Sequence, residues 1–149
     1  MLTQICQYLR NWFERDKIFG SFKVANGTLT YADGTAPPLL PGQYFRVVGS
    51  IFNDGVHKIG NTSDQLIDEP EFSGAVWAMA VPPVVAALAD EIAAWVAENA
   101  SVISNPLQSE TVGGYSRTFR GGGTAANGEA TGLTWQAQFA AQLAPWRKI

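Results

Sequence analysis

"QYFRVVGSIFNDGVHKI", residues 43–59, decides how the chain divides. Tyr44, Phe45, Val47 and Val48 are aromatic or β-branched, the side chains that suit a pleated, half-buried surface. Asn53-Asp54-Gly55 is a turn signal, and "VHKI", residues 56–59, leads back. The pattern predicts a β-hairpin. Upstream, "SFKVANGTLTY", residues 21–31, predicts another around Asn26-Gly27, a pair that accepts the positive φ of a tight turn. Two hairpins over about residues 18–60 form a small sheet that needs helices or a partner against it. The stretches 32–42, "ADGTAPPLLPG", and 61–74, "NTSDQLIDEPEFSG", read as loops from their Pro, Gly and acidic content.

Outside this block the apolar spacing is helical. Leu2, Ile5, Cys6, Leu9, Trp12 and Phe13 recur every three or four residues, which predicts a helix over 2–13 with Thr3 as a candidate N-cap. The charged "ERDK", residues 14–17, is expected to end it. Pro82-Pro83 suits a first helical turn, and Val84, Leu88, Ile92 and Trp95 form a stripe through 82–98, with Val85, Ala89 and Val96 beside it. Asn99 is its stop, and Ala86, Ala87, Ala93 and Ala94 leave room for a close neighbour. Leu133, Phe139 and Leu143 predict a last helix over 133–144, closed by Pro145. The expected fold is α+β, in a single domain over residues 1–149. Three main helices (2–13, 82–98, 133–144) surround a two-hairpin antiparallel β insertion (18–60). An extended Gly-flanked arm (109–123) lies within the loop region 105–132.

Composition narrows the function. Charged residues make up 15% of the 149, against roughly a quarter in ordinary domains, while apolar residues reach 46%. Surface covered by a partner accounts for such a balance. The net charge of −3 lacks the basic excess that displaces counterions from phosphates, so nucleic-acid binding is not the expected task. The first residues carry neither a basic start nor a small-residue cleavage site, and no apolar run reaches roughly 18 residues, so a soluble protein of a reducing compartment is expected.

Chemical motifs are sparse. One His and one Cys do not make a metal site. The acidic run Asp64, Asp68, Glu69, Glu71 lacks the spacing and central Gly of a calcium loop and reads as a solvated face. The glycines of "RGGGTAANG" come without the lysine of a phosphate loop, and Gly113-Gly114 is followed by "YSRTF" rather than a dinucleotide fingerprint. No cofactor is expected. His57 is a candidate base for a small hydrolase, yet no nucleophile elbow accompanies it.

Association remains. In "SETVGGYSRTFRGGG", residues 109–123, Tyr115, Arg117 and Phe119 alternate with Ser116 and Thr118 at strand period, with Gly113 and Gly114 as hinge or positive-φ positions. Composition leaves two readings open: an edge hairpin of the monomer, or an arm that pairs with another chain.

"PPVVAALADEIAAWVAEN", "LQSETVGGYSRTF" and "FAAQLAPWRKI" together resemble the head–tail connector (adaptor) proteins of long-tailed bacteriophages and prophages. Those proteins carry a helix, a loop of the type S-E-S-(I/V)-G-(D/G)-Y-S, and a short last helix ending L-x-x-(Y/W)-R-(R/K). Ser109, Glu110, Val112, Gly113, Gly114, Tyr115 and Ser116 match the loop, and Leu143, Trp146, Arg147 and Lys148 match the ending. Leu2, Ile5, Tyr8, Leu9 and Arg10 fit the family's first helix. The likeness covers the first 13 residues and residues 80–149; the β block departs from it. The resemblance implies a non-enzymatic virion protein, assembled in the host cytoplasm as a ring, commonly twelvefold, under the portal protein. It would extend the channel through which DNA passes without specific binding, and dock a stopper or tail-completion protein. The arm residues Gly113, Gly114, Tyr115, Arg117 and Phe119 would reach a neighbouring subunit, and Trp146, Arg147 and Lys148 would dock to the portal. A stopper or tail-completion protein using residues 18–60 is the alternative, and a hydrolase using His57 a remote one.

Overall fold

A computed structural model describes residues 1–61, 65–103, 109–112, 115–118 and 134–149; residue 102 and the stretches 109–112 and 115–118 are described by backbone alone. The elements in chain order are α1 (Leu2–Leu9), β1 (Glu14–Ala25), β2 (Thr28–Tyr31), β3 (Tyr44–Val48), β4 (Gly55–Lys58), β5 (Glu69–Met79), α2 (Pro83–Glu98) and α3 (Ala100–Ile103). Then come β6 (Ser109–Val112), β7 (Tyr115–Thr118), α4 (Trp135–Gln138), α5 (Ala140–Leu143) and a 3₁₀ turn, Ala144–Trp146.

The expectation of three main helices around a small hairpin insertion is overturned. The dominant element is a curled, half-barrel antiparallel sheet of five strands in the order β2-β1-β5-β3-β4. Helices are short: α1 has eight residues, the C-terminal region is broken into two four-residue pieces, and α2 alone reaches 16. The expected helix over 2–13 stops at Leu9 because Arg10 turns left-handed (φ 53), and the charged residues 14–17 open β1 instead. Thr3 is helical, and its hydroxyl accepts from Val56 N–H on β4 at 3.1 Å.

Both predicted hairpins form. Asn26 (φ 50) and Gly27 (φ 69) make the two-residue turn between β1 and β2, whose handedness matches the strand twist. β3 and β4 pair from Tyr44↔Lys58 to Val47↔Gly55. The correction lies in β5, placed within an expected loop and the approach to α2. It pairs with β1 on one edge (Ile18↔Val76, Phe22↔Phe72) and with β3 on the other (Val47↔Val76). The β1–β5 ladder slips register between Glu14 and Asp16 and between Phe22 and Val24, and such bulges sharpen the curl.

Two cores result. Phe22, Val24, Leu29, Phe45, Val47 and Val76 fill the concave side of the sheet. Ile5 and Leu9 of α1, Val85, Leu88, Ala89 and Ile92 of α2, and Phe139 and Leu143 near the C-terminus form the other. The buried stripe of α2 is rotated by about one residue from the expected one, leaving Val84 exposed. At the junction, Asn11 accepts from the Phe13 amide and donates from Nδ2 to the Trp146 carbonyl, while Ala80 N–H bonds Phe13 O at 2.8 Å.

β3 leaves β5 by crossing it at two glycines. A Cβ on Gly49, whose φ is +94, would stand 2.9 Å from the Ser73 carbonyl oxygen and 3.1 Å from Gly74 Cα. A Cβ on Gly74 would overlap the Val48 carbonyl oxygen. Gly74→Ala is therefore expected to destabilise the fold by at least about 2–3 kcal/mol, because backbone cannot give way as a side-chain tip does. Gly20→Ala on β1, whose added Cβ would meet nothing closer than 3.9 Å, is the control. Urea denaturation of both variants checks this; equal midpoints would refute it.

Candidate functional site

The convex side of the sheet carries a ladder of cations and indoles. Lys17, Trp77 and Arg46 lie directly across from one another on β1, β5 and β3. The Arg46 guanidinium sits between two rings, 3.5 Å from the Trp12 centroid and 4.5 Å from that of Trp77; Lys17 Nζ is 4.1 Å over Trp77. Burial pulls the Arg46 guanidinium below its ordinary value, and Asp54 opposes that shift. Cys6 of α1 lies below this layer, and burial pushes its thiol up to about 12, so it stays protonated.

A second construction holds the β3–β4 loop. Glu69 is buried, contrary to the solvated face expected of the acidic run. Its carboxylate accepts from Ser50 Oγ, from Ile51 N–H at 2.9 Å and from Asn53 Nδ2 at 3.1 Å. Asn53 also spans to residue 67, donating to Ile67 O and accepting from Ile67 N. Burial alone would raise the Glu69 carboxyl; the hydrogen bonds outweigh it and hold the group below its ordinary range. What this clamp presents is apolar: Ile51 is 82% exposed, Phe52 57% and Ile67 58%. These side chains stand outside both cores.

The residues expected to act fall as follows. Gly113, Gly114 and Phe119 lie outside the described residues. Tyr115 and Arg117 belong to β7, which pairs antiparallel with β6 in a separate two-stranded sheet, with Glu110↔Arg117 and Val112↔Tyr115 opposite each other. Trp146 is half-buried and packs edge-on against Phe13, with ring centroids 6.3 Å apart. Arg147 is exposed, its guanidinium 5.9 Å from the Tyr8 ring. Lys148 donates its amide to Leu9 O at 3.0 Å and pairs its Nζ with Glu14 at 2.9 Å. The ending is thus fastened to the first helix, with Arg147 facing outward.

His57 lines two clefts. One, of about 470 Å³, opens from the concave side between β2 and β4; the other, of about 770 Å³, lies between β4 and α2. His57 Nε2 is 2.7 Å from Asn53 O, a carbonyl that only accepts, so this nitrogen carries the hydrogen and donates. Among the described residues no cluster of three His, Cys, Asp or Glu could hold a metal ion, and no helix is long and apolar enough to cross a membrane.

No family model matches the chain, and neither a curated protein nor a solved structure does. The stack and the clamp had no local signature: Trp12, Lys17, Arg46 and Trp77 are scattered along the chain and meet only in the sheet.

Two predictions follow from these contacts. Arg46→Lys keeps the charge but loses the broad guanidinium that contacts both indoles at once, and is expected to lower stability by about 1–2 kcal/mol and shift tryptophan emission. Unfolding followed by fluorescence reads both; wild-type values for both would refute the stacking role. The Glu69 clamp is expected to weaken in acid. A depressed carboxyl contributes stability above its unfolded value, about pH 4.3, and that contribution is lost as pH falls through the folded value. Wild-type Tm should therefore drop more steeply below about pH 5 than that of Glu69→Gln. Parallel curves would refute it.

Proposed function

We propose that the chain is a structural virion protein of a tailed phage, a head–tail connector that forms a ring beneath the portal. The observation that carries this reading is the composition of the helical core. α1, α2 and the C-terminal region, the segments in which the connector resemblance lies, bury Ile5, Leu9, Leu88, Ile92, Phe139 and Leu143 against one another. Segments distant in sequence, those in which the resemblance lies, thus pack as a unit, while the sheet has its own core.

The surfaces fit assembly. A ring uses head-to-tail contacts, so each copy needs two unlike faces. The apolar loop Ile51-Phe52 and the groove beside β4 are unlike and lie on one subunit. The net charge of −3 suits a channel that lets DNA slide without gripping it. In this reading the ring extends the DNA channel, commonly with twelve copies, and docks a stopper or tail-completion protein. The size of the sheet favours one further reading: a stopper or tail-completion protein that uses the sheet as its working module.

Purified protein mixed with portal-bearing heads and viewed by negative stain tests the proposal. Ring density on the portal is the expected result. Binding only to heads that already carry a ring would favour the stopper reading, and no binding to either would overturn both. Arg147→Ala/Lys148→Ala should cut portal binding about tenfold or more with the fold intact. Trp146→Ala is the poorer probe, because that ring packs against Phe13.

A further inference from the structure

Asn26 and Gly27 form the turn between β1 and β2, both at positive φ, and Asn26 is exposed. Most other described asparagines have their amides engaged. Asn53 donates to Ile67 O and to Glu69 and accepts from Ile67 N–H. Asn11 bonds the Trp146 carbonyl and the Phe13 amide, and Asn99 donates to Trp95 O. Asn61 is followed in sequence by a β-branched threonine. Asn26 alone among the described asparagines precedes a glycine, a residue with no Cβ to shield its nitrogen.

That nitrogen has a partner from far along the chain. Gly27 N–H donates to Asp68 Oδ1 at 2.9 Å. Asp68 stands just before β5, so the bond latches the β1–β2 turn to the segment that leads into the central strand. A carboxylate that accepts this bond keeps the proton on nitrogen, and its charge opposes the anion that would form on losing it. The turn and the segment also wall the cleft of about 470 Å³, which Asn26, Gly27, Gln65 and Leu66 line together.

We propose that Asn26 is a modification site, converted to aspartate or isoaspartate by attack of the Gly27 nitrogen, and that the Asp68 latch holds the rate down. Gly27 nitrogen gives up its proton to hydroxide and attacks Asn26 Cγ. The N–Cγ bond forms, the Cγ–Nδ2 bond breaks, and Nδ2 leaves as ammonia after taking a proton from water. Water then opens the cyclic imide and returns a hydrogen to the Gly27 nitrogen. Hydrolysis at the side-chain carbonyl gives aspartate; hydrolysis at the main-chain carbonyl gives isoaspartate. Nothing is oxidised or reduced. Either product sets a second carboxylate beside Asp68, and isoaspartate also adds a carbon to the main chain inside a two-residue turn. The latch is then lost, and with it one wall of the cleft. The site goes beyond the connector reading and does not depend on it.

The test incubates the full chain in mildly alkaline buffer and maps tryptic peptides by mass spectrometry, which resolves Asn26 from Asn127, the other asparagine that precedes a glycine. Asn26 should react at least about tenfold more slowly in the folded chain than in urea, because attack waits on local opening. Asp68→Ala should speed the folded-state reaction about threefold or more, the factor that loss of one exposed hydrogen bond gives. If circular dichroism shows Asp68→Ala unfolded, Asp68→Asn takes its place. Its neutral oxygen accepts the same bond more weakly, and a rise of about twofold is expected. Equal rates for folded and unfolded wild type, or a wild-type rate in the folded Asp68 variant, overturn the proposal. Asn26→Asp installs one product directly. Hydrogen exchange at its Gly27 amide should be faster than in wild type, and an unchanged rate overturns the release of the latch.

Discussion

The close approach of two backbones at Gly49 and Gly74 is the constraint on which the sheet depends. β5 pairs with β1 and β3 at once, and β2 and β4 join the sheet through those two neighbours. Where β3 leaves β5, the chains come so near that a methyl group on Gly74 would overlap the Val48 carbonyl. That crossing sends the chain into Ser50 and Ile51, which meet the carboxylate of Glu69 at the start of the same strand. Near its other end β5 places Trp77 under Arg46, and Ala80 just beyond bonds Phe13. One strand thus pairs the sheet, clamps its longest described hairpin loop and ties it to the first helix.

The helical core is built differently. It collects chain from both ends and from residues 85–92, and is joined to the sheet by short polar links at residues 10–14. Arg10 and Phe13 both adopt positive φ there, a conformation few non-glycine residues take without support. Asn11 provides that support by bonding both the Phe13 amide and the Trp146 carbonyl. The ending, Trp146 to Lys148, is part of this joint, through the Trp146 carbonyl, the Lys148 amide and the Lys148–Glu14 pair.

Local chemistry was legible where one short segment suffices. Asn26-Gly27 announced its turn, Pro82-Pro83 and Asn99 bracketed the long helix, and Phe139 and Leu143 marked a buried face. β5 was not legible. Pro70, Gly74 and two glutamates dress its first half as a loop, and "AVWAMA" runs without alternation because both faces of that half are covered. Glu69 read as solvated, since nothing in its vicinity announces Ser50 and Asn53. The groove between β4 and α2 had no motif, because those elements are far apart in the chain.

The sequence by itself determined the sites of turns and the bounds of α2, because each rests on residues within a few positions of one another. Tertiary structure alone decided that the sheet dominates, that Arg46 contacts both Trp12 and Trp77, that Glu69 is buried, and that β4 ends the described sheet beside α2. These depend on strand pairing between residues tens of positions apart. The free energy of such pairing resides in the partner's backbone and ring faces, and no property of either segment alone contains it.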